Sequence, residues 1–131
     1  MSAAPTILIV DDEAETRETL AALLAEAGGY RVATCADAEQ VEARVAAVRP
    51  ALVLLDLMMP KRTGWEVLMA LHARWPRLPV LIVSGAMGPR EAAAFVATAQ
   101  QRGARGYLSK PVESGALLTA AARALAPPGG G

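Results

Sequence analysis

Apolar residues in this chain fall into short continuous runs separated by stretches of helical spacing, and the two patterns alternate along its length. Thr6–Val10 is a run rich in branched side chains and predicts a strand. Across Glu13–Ala27, Leu20, Leu23 and Leu24 recur at helical spacing, and Gly28-Gly29 predicts the stop. Tyr30–Cys35 alternates less apolar residues, as an edge strand does. Asp37 followed by Gln40 predicts an N-cap box for a helix running to about Val48, and Pro50 ends that unit. Ala51–Leu55 is continuously apolar, and Gly64–Arg74 places Val67, Leu68 and Leu71 on one helical face. Pro76 and Pro79 bracket a turn before Val80–Val83, a further apolar run. Pro89 suits a first helical position, Arg90–Arg102 continues that helix, and Gly103 closes it. Arg105–Ser109 and roughly Glu113–Leu125 complete the pattern as strand and helix.

Strand and helix thus alternate in five successive units, which implies a parallel sheet with helices on both faces. Continuous apolar runs mark strands buried on both sides, and the first, third and fourth strands have that character. Placing the more mixed second and fifth strands at the edges gives the order 2-1-3-4-5, a flavodoxin-like doubly wound α/β fold, (βα)5. At 131 residues and 53% hydrophobic content the chain suits one domain with a single core. That domain is expected over residues 1–126, with 127–131, a Pro/Gly stretch, read as a flexible tail or linker stub.

Charge narrows the partners. Thirteen basic and thirteen acidic residues cancel, so there is no bulk attraction to nucleic acid or an anionic membrane. No apolar stretch approaches the roughly 20 residues that span a bilayer, and no basic-then-apolar leader opens the chain. Cys35 is alone, which rules out an internal disulfide and fits a small core residue. A soluble, cytoplasmic protein is the expectation.

Reactive polar residues sit where the predicted strands end. Asp11 and Asp12 follow ILIV, Asp56 follows ALVLL, Ser84 follows VLIV and Lys110 follows GYLS. Ligands of such sheets bind at the carboxyl ends of the strands, so these five residues are expected to converge. A carboxylate at the end of a buried strand is costly unless paired or coordinated, and three crowded carboxylates repel one another. A magnesium ion, which takes carboxylate oxygens and keeps several waters, relieves both problems and leaves room for phosphate oxygens. Each residue also has a plainer reading when taken singly. Asp11 and Asp12 suit the start of the next helix, Ser84 a turn with Gly85, Lys110 an ordinary surface position and Tyr107 a half-buried edge aromatic. Trp65 and Trp75 read as helix packing residues, and His72 as a lone structural histidine.

The motifs VDDE at Val10–Glu13, LLDLMMP at Leu54–Pro60 followed by Gly64, VSGA at Val83–Ala86 and GYLSKPV at Gly106–Val112 occur in order at the predicted strand ends. Together they resemble the receiver (CheY-like) domain of two-component response regulators over nearly the whole chain. The resemblance implies Asp56 as phosphoacceptor and Asp11 and Asp12 as the acidic pair serving Mg2+, with Mn2+ an alternative. It further implies Ser84 as the hydroxyl switch residue, Lys110 as the phosphoryl-sensing lysine and Tyr107 as the switch aromatic. Asp12 and Asp56 would ligate the metal directly, Asp11 partly through water, and Met58 through its backbone carbonyl. The implied donor is a sensor histidine kinase or phosphotransfer protein. The implied output is a remodelled face of the fourth helix, fifth strand and fifth helix that binds an effector or second receiver, with no direct nucleic-acid contact. Alternatives are an amino-terminal receiver of a longer regulator with a DNA-binding or enzymatic output domain, and an interaction module that works without phosphorylation. A flavin-binding protein would need a Gly/Ser/Thr-rich phosphate loop after the first strand, and an aspartyl-phosphate phosphatase a second Asp where Met58 stands. Met58 and Ala86 lack side chains able to position a hydrolytic water, which predicts slow loss of the phosphoryl group. Ser84 and Lys110 lie 26 positions apart, a long interval whose excess is expected around Met87-Gly88-Pro89.

Overall fold

The computed structural model describes residues 4–85 and 89–126. Five strands form one parallel sheet: β1 (Thr6–Val10), β2 (Arg31–Cys35), β3 (Leu52–Leu55), β4 (Val80–Ser84) and β5 (Ala104–Ser109), in the order β2-β1-β3-β4-β5. The helices between and after them are α1 (Ala14–Glu26), α2 (Val41–Val48), α3 (Gly64–Arg74), α4 (Pro89–Gln101) and α5 (Ser114–Leu125). This is the doubly wound order that the polarity of the strands predicts.

Side chains alternate across the three central strands and so divide the core between the two faces. Leu8, Val10, Val53, Leu55, Val80 and Ile82 pack with residues of α2 and α3. Ile7, Ile9, Leu52, Leu54, Leu81 and Val83 pack with α1 and α5. Burial on both faces explains the unbroken apolar runs, while β2 keeps one exposed end and only Cys35 fully buried.

Helix boundaries follow local chemistry. Gly29 takes φ +71° after α1, and Gly103 takes φ +103° after α4, both left-handed conformations that glycine adopts without a Cβ penalty. The predicted Asp37–Gln40 box is not what forms. Asp37 instead accepts from the Glu39 amide at 2.9 Å and caps a 3-10 turn, Ala38–Gln40, before α2 starts at Val41. The tighter turn brings the second amide, rather than the third, onto the Asp37 carboxylate, and the Gln40 side chain has no capping role. A capping box does form at α3, where Thr63 accepts from the Glu66 amide and Glu66 reaches back to the Thr63 amide. Glu113 caps α5, accepting from the Gly115 and Ala116 amides, and these bonds hold its carboxyl below the usual range. Ala86, Met87, Gly88 and the 127–131 stretch lie outside the described residues, so the excess expected around Met87-Gly88-Pro89 is located only in that Pro89 begins α4.

Candidate functional site

Strand register sets the site. Val10 pairs with Leu55, and the ladder runs one residue further because the Asp56 amide donates to the Val10 carbonyl at 2.9 Å. Asp11 and Asp56 therefore stand side by side at the carboxyl edge. The Lys110 amide donates to the Ser84 carbonyl at 2.7 Å, which carries β5 past β4 in the same way. The Lys110–Pro111 peptide bond is cis.

Asp11 and Asp56 are buried and Asp12 is exposed, and one carboxylate oxygen from each lies within 4.8 Å of the others. The Lys110 ammonium sits among them, donating to Asp11 Oδ2 at 2.8 Å, Glu13 Oε1 at 3.2 Å and Asp56 Oδ2 at 3.3 Å. Backbone amides hold the remaining oxygens: Glu13 donates to Asp11 Oδ1 and Met58 to Asp56 Oδ1, both at 2.9 Å. Arg17 on α1 donates to the Asp11 carbonyl at 2.8 Å and fixes the loop that carries the acidic pair. Burial pushes the Asp56 carboxyl above its ordinary value, and the Asp11 charge adds to this against the Met58 amide and Lys110. Burial alone would lower the Lys110 ammonium, but its bond to Asp11 and the charges of Asp56 and Asp11 outweigh that and raise it, so it stays charged.

Three carboxylate oxygens within 4.8 Å of one another are donors of the hard type that an octahedral magnesium ion takes. The donor set fits the ion. Met58 brings no hard side-chain donor, since its thioether is soft, and its amide orients Asp56.

The structure thus gathers Asp11, Asp12, Asp56 and Lys110 into one cluster. Ser84 is buried at the end of β4 and Tyr107 half-buried on β5, flanking the cluster rather than joining its ion pairs. The Tyr107 hydroxyl donates to the Gly85 carbonyl at 3.2 Å, next to Ser84. Its ring stacks tilted on Phe95 at 5.2 Å, and Phe95 on Trp65 at 4.9 Å. Glu13 was not singled out from the sequence, although its place beside Asp11-Asp12 in VDDE was the available sign.

A second charged contact braces the loop after β3. Arg62 donates to both Glu42 oxygens, at 2.6 and 2.8 Å, and to the Ala38 carbonyl at 3.3 Å, tying that loop to α2. The Arg62 bond lowers the Glu42 carboxyl, with burial opposing it. A depressed folded pKa means this stability is complete above the unfolded value and lost as pH falls through the folded one. With the side chains 21% and 28% exposed, the native chain should exceed Glu42→Gln by about 0.5–1 kcal/mol near pH 7. Urea denaturation should show the gap closing as pH falls through the carboxylate range, and a gap that stays unchanged there would contradict the ion pair.

A parallel 2-1-3-4-5 sheet with acidic residues and a lysine at its carboxyl edge defines a flavodoxin-like protein of the CheY type. The family model for the response regulator receiver domain matches residues 7–122, and the chain belongs to that family. It is 34% identical over 119 residues to the C4-dicarboxylate transport transcriptional regulatory protein DctD of Pseudomonas aeruginosa, covering 91% of this chain and 25% of that protein. It is 38% identical over 110 residues to protein-glutamate methylesterase/protein-glutamine glutaminase 6 of Anaeromyxobacter dehalogenans, covering 83% of this chain and 30% of that protein. The chain therefore spans about a quarter to a third of these relatives. Among solved structures, the receiver domain of NtrX from Brucella abortus superposes with a TM-score of 0.81 at 33% identity, over 91% of this chain and 97% of that one. A CheY-like receiver domain protein from Methanospirillum hungatei gives 0.80 at 30% identity, over 94% of each chain. The chain is accordingly a response regulator receiver domain, a signalling domain of the phosphorelay type. Among the described residues no helix is long and apolar enough to cross a membrane.

Proposed function

We propose that Asp56 is the phosphoacceptor of this receiver and that a sensor histidine kinase or phosphotransfer protein is its donor. The observation that carries the reading is the buried Asp56 carboxylate, oriented by the Met58 amide and faced by Lys110 at 3.3 Å beside the acidic pair. An Asp56 oxygen attacks phosphorus in line, the bond from phosphorus to the donor imidazole nitrogen breaks, and its electron pair stays on that nitrogen. Asp11, Asp12, Asp56 and the Met58 carbonyl would hold Mg2+, with Mn2+ as a substitute. The ion supplies charge neutralisation between carboxylates and incoming phosphoryl oxygens. Lys110 then pairs with the phosphoryl group instead of with Asp11 and Glu13. Ser84 contributes a hydroxyl donor and moves toward the aspartyl phosphate, and Tyr107 leaves Gly85 and turns inward. These shifts change the face formed by α4, β5 and α5, where an effector or second receiver binds.

Incubation with radiolabelled acetyl phosphate tests this reading. Labelling should need Mg2+, stop with chelator and yield a hydroxylamine-sensitive acyl phosphate. Met58 offers no polar group to a hydrolytic water, so the label should decay over minutes or longer. Labelling that persists undiminished in chelator would sink the assignment.

The longer relatives favour a second, compatible reading, in which this chain is the amino-terminal receiver of a regulator with a DNA-binding or enzymatic output domain. The complete acidic cluster speaks against a module that acts without phosphorylation.

A further inference from the structure

At the edge of the sheet opposite Asp56 lies a cleft of about 670 Å³, below the amino-terminal ends of β3 and β4 and between the carboxyl ends of α2 and α3. Its volume is within the range of about 300–1,000 Å³ typical of small-molecule sites. Val45, Pro50, Ala51, Leu78 and Pro79 give it an apolar floor. Arg49, Arg74, Arg77 and Trp75 line its rim, and no carboxylate residue lines it.

The plain explanation of the arginines is helix capping. Arg49 is the C-cap of α2 and Arg74 the last residue of α3, where cations offset the negative end of a helix dipole. Magnitude limits that explanation. Two helix ends carry about −0.5 each, about −1 together, against three guanidinium charges, leaving about +2 over. Arg77 lies beyond α3 and caps neither helix. None of the three forms an ion pair among the described residues. Glu42, which feels the Arg74 charge, is already held by Arg62 at 2.6 and 2.8 Å. Arg74 lies over the Trp75 ring at 4.5 Å, which orders the guanidinium and leaves its N–H edge available. Arg49 is itself held at φ +52°, so the backbone fixes where its side chain starts.

We infer that this cleft is a second ligand site, separate from the phosphorylation edge, for an organic phosphate with a flat or apolar body. A phosphate monoester carries about −1.5 to −2 charges, which matches the unbalanced guanidinium charge, and its oxygens suit the bidentate arginine fork. The apolar floor takes the body, and that separates this class from inorganic phosphate.

Calorimetric titration of the full chain with AMP, in chelator so that the acidic edge holds no metal, tests the inference. AMP should bind with a Kd below about 1 mM, and adenosine and inorganic phosphate each about tenfold more weakly or worse. Arg77→Ala should weaken AMP about tenfold, Arg74→Ala/Arg77→Ala further, and Arg77→Lys less than Arg77→Ala, because lysine keeps the charge and loses the fork. The two Arg77 variants should keep the native melting temperature, since that side chain is exposed and caps neither helix. Asp56→Asn should bind AMP as the native chain does. Absence of saturable AMP binding would overturn the inference. So would inorganic phosphate binding as tightly as AMP, a double variant within about twofold of the native affinity, or loss of binding in Asp56→Asn.

Discussion

Asp56→Asn is expected to take up no phosphoryl group from acetyl phosphate and magnesium under conditions that label the native chain to completion. The amide has no anionic oxygen to attack phosphorus. The same substitution should leave the fold as stable as before, or more so. Asp56 has a folded pKa raised chiefly by burial, so its ionisation costs stability. That cost is absent below the unfolded carboxyl pKa, grows as pH rises through it and is complete above the folded value. Asn carries no such cost, and Lys110 keeps Asp11 and Glu13 as partners. Urea denaturation of metal-free protein should therefore place Asp56→Asn at or above the native chain near neutral pH, with the difference shrinking as pH falls through the carboxylate range. Magnesium should narrow it from the other side, by binding and stabilising the native chain. Full labelling of the variant would remove Asp56 from its role. A variant markedly less stable at neutral pH would mean that the Lys110 contact outweighs burial.

The separate legibility of fold and site follows from how far apart the interacting residues are. β1, β3 and β4 were plain because burial on both faces demands unbroken apolar runs, and β2 and β5 fell to the edges because they lack them. Convergence of Asp11, Asp12, Asp56 and Lys110 then followed from parallel register alone. What escaped were contacts decided by side-chain reach after folding. Glu13 meets Lys110 across 97 positions, and Arg62 meets Glu42 across 20, and neither pair shares an element whose periodicity could announce it. The misassigned box at Asp37 has a local cause, since a 3-10 turn and an α-turn share the same capping residues and differ only in which amide arrives. At α3 the box has the usual spacing, Thr63 with Glu66 three residues later, and is legible in the sequence itself.

Gly64→Ala is expected to lower stability and to slow phosphorylation together. Gly64 is buried as the first residue of α3, and its amide donates to the Leu57 carbonyl at 3.3 Å. A Cβ here would overlap the Leu57 Cα and side chain, closer than nonbonded atoms approach. Because one of the overlapped atoms belongs to the backbone, rotating a side chain cannot relieve it. Either α3 withdraws, loosening Val67, Leu68 and Leu71 from the core, or the segment around Leu57 is displaced. Overpacking of this kind costs about 1–3 kcal/mol. In a domain of this size that lowers the melting temperature by about 4–10 °C. Leu57 lies between Asp56 and Met58, so its displacement disturbs the 2.9 Å amide bond that orients the Asp56 carboxylate. Acetyl phosphate labelling of the folded variant should therefore be slower at saturating magnesium, a defect that loss of stability alone does not produce well below the melting temperature. If melting falls while the labelling rate is native, α3 is what moves and the loop keeps its geometry. If neither changes, Gly64 is not the close approach on which the loop after β3 depends.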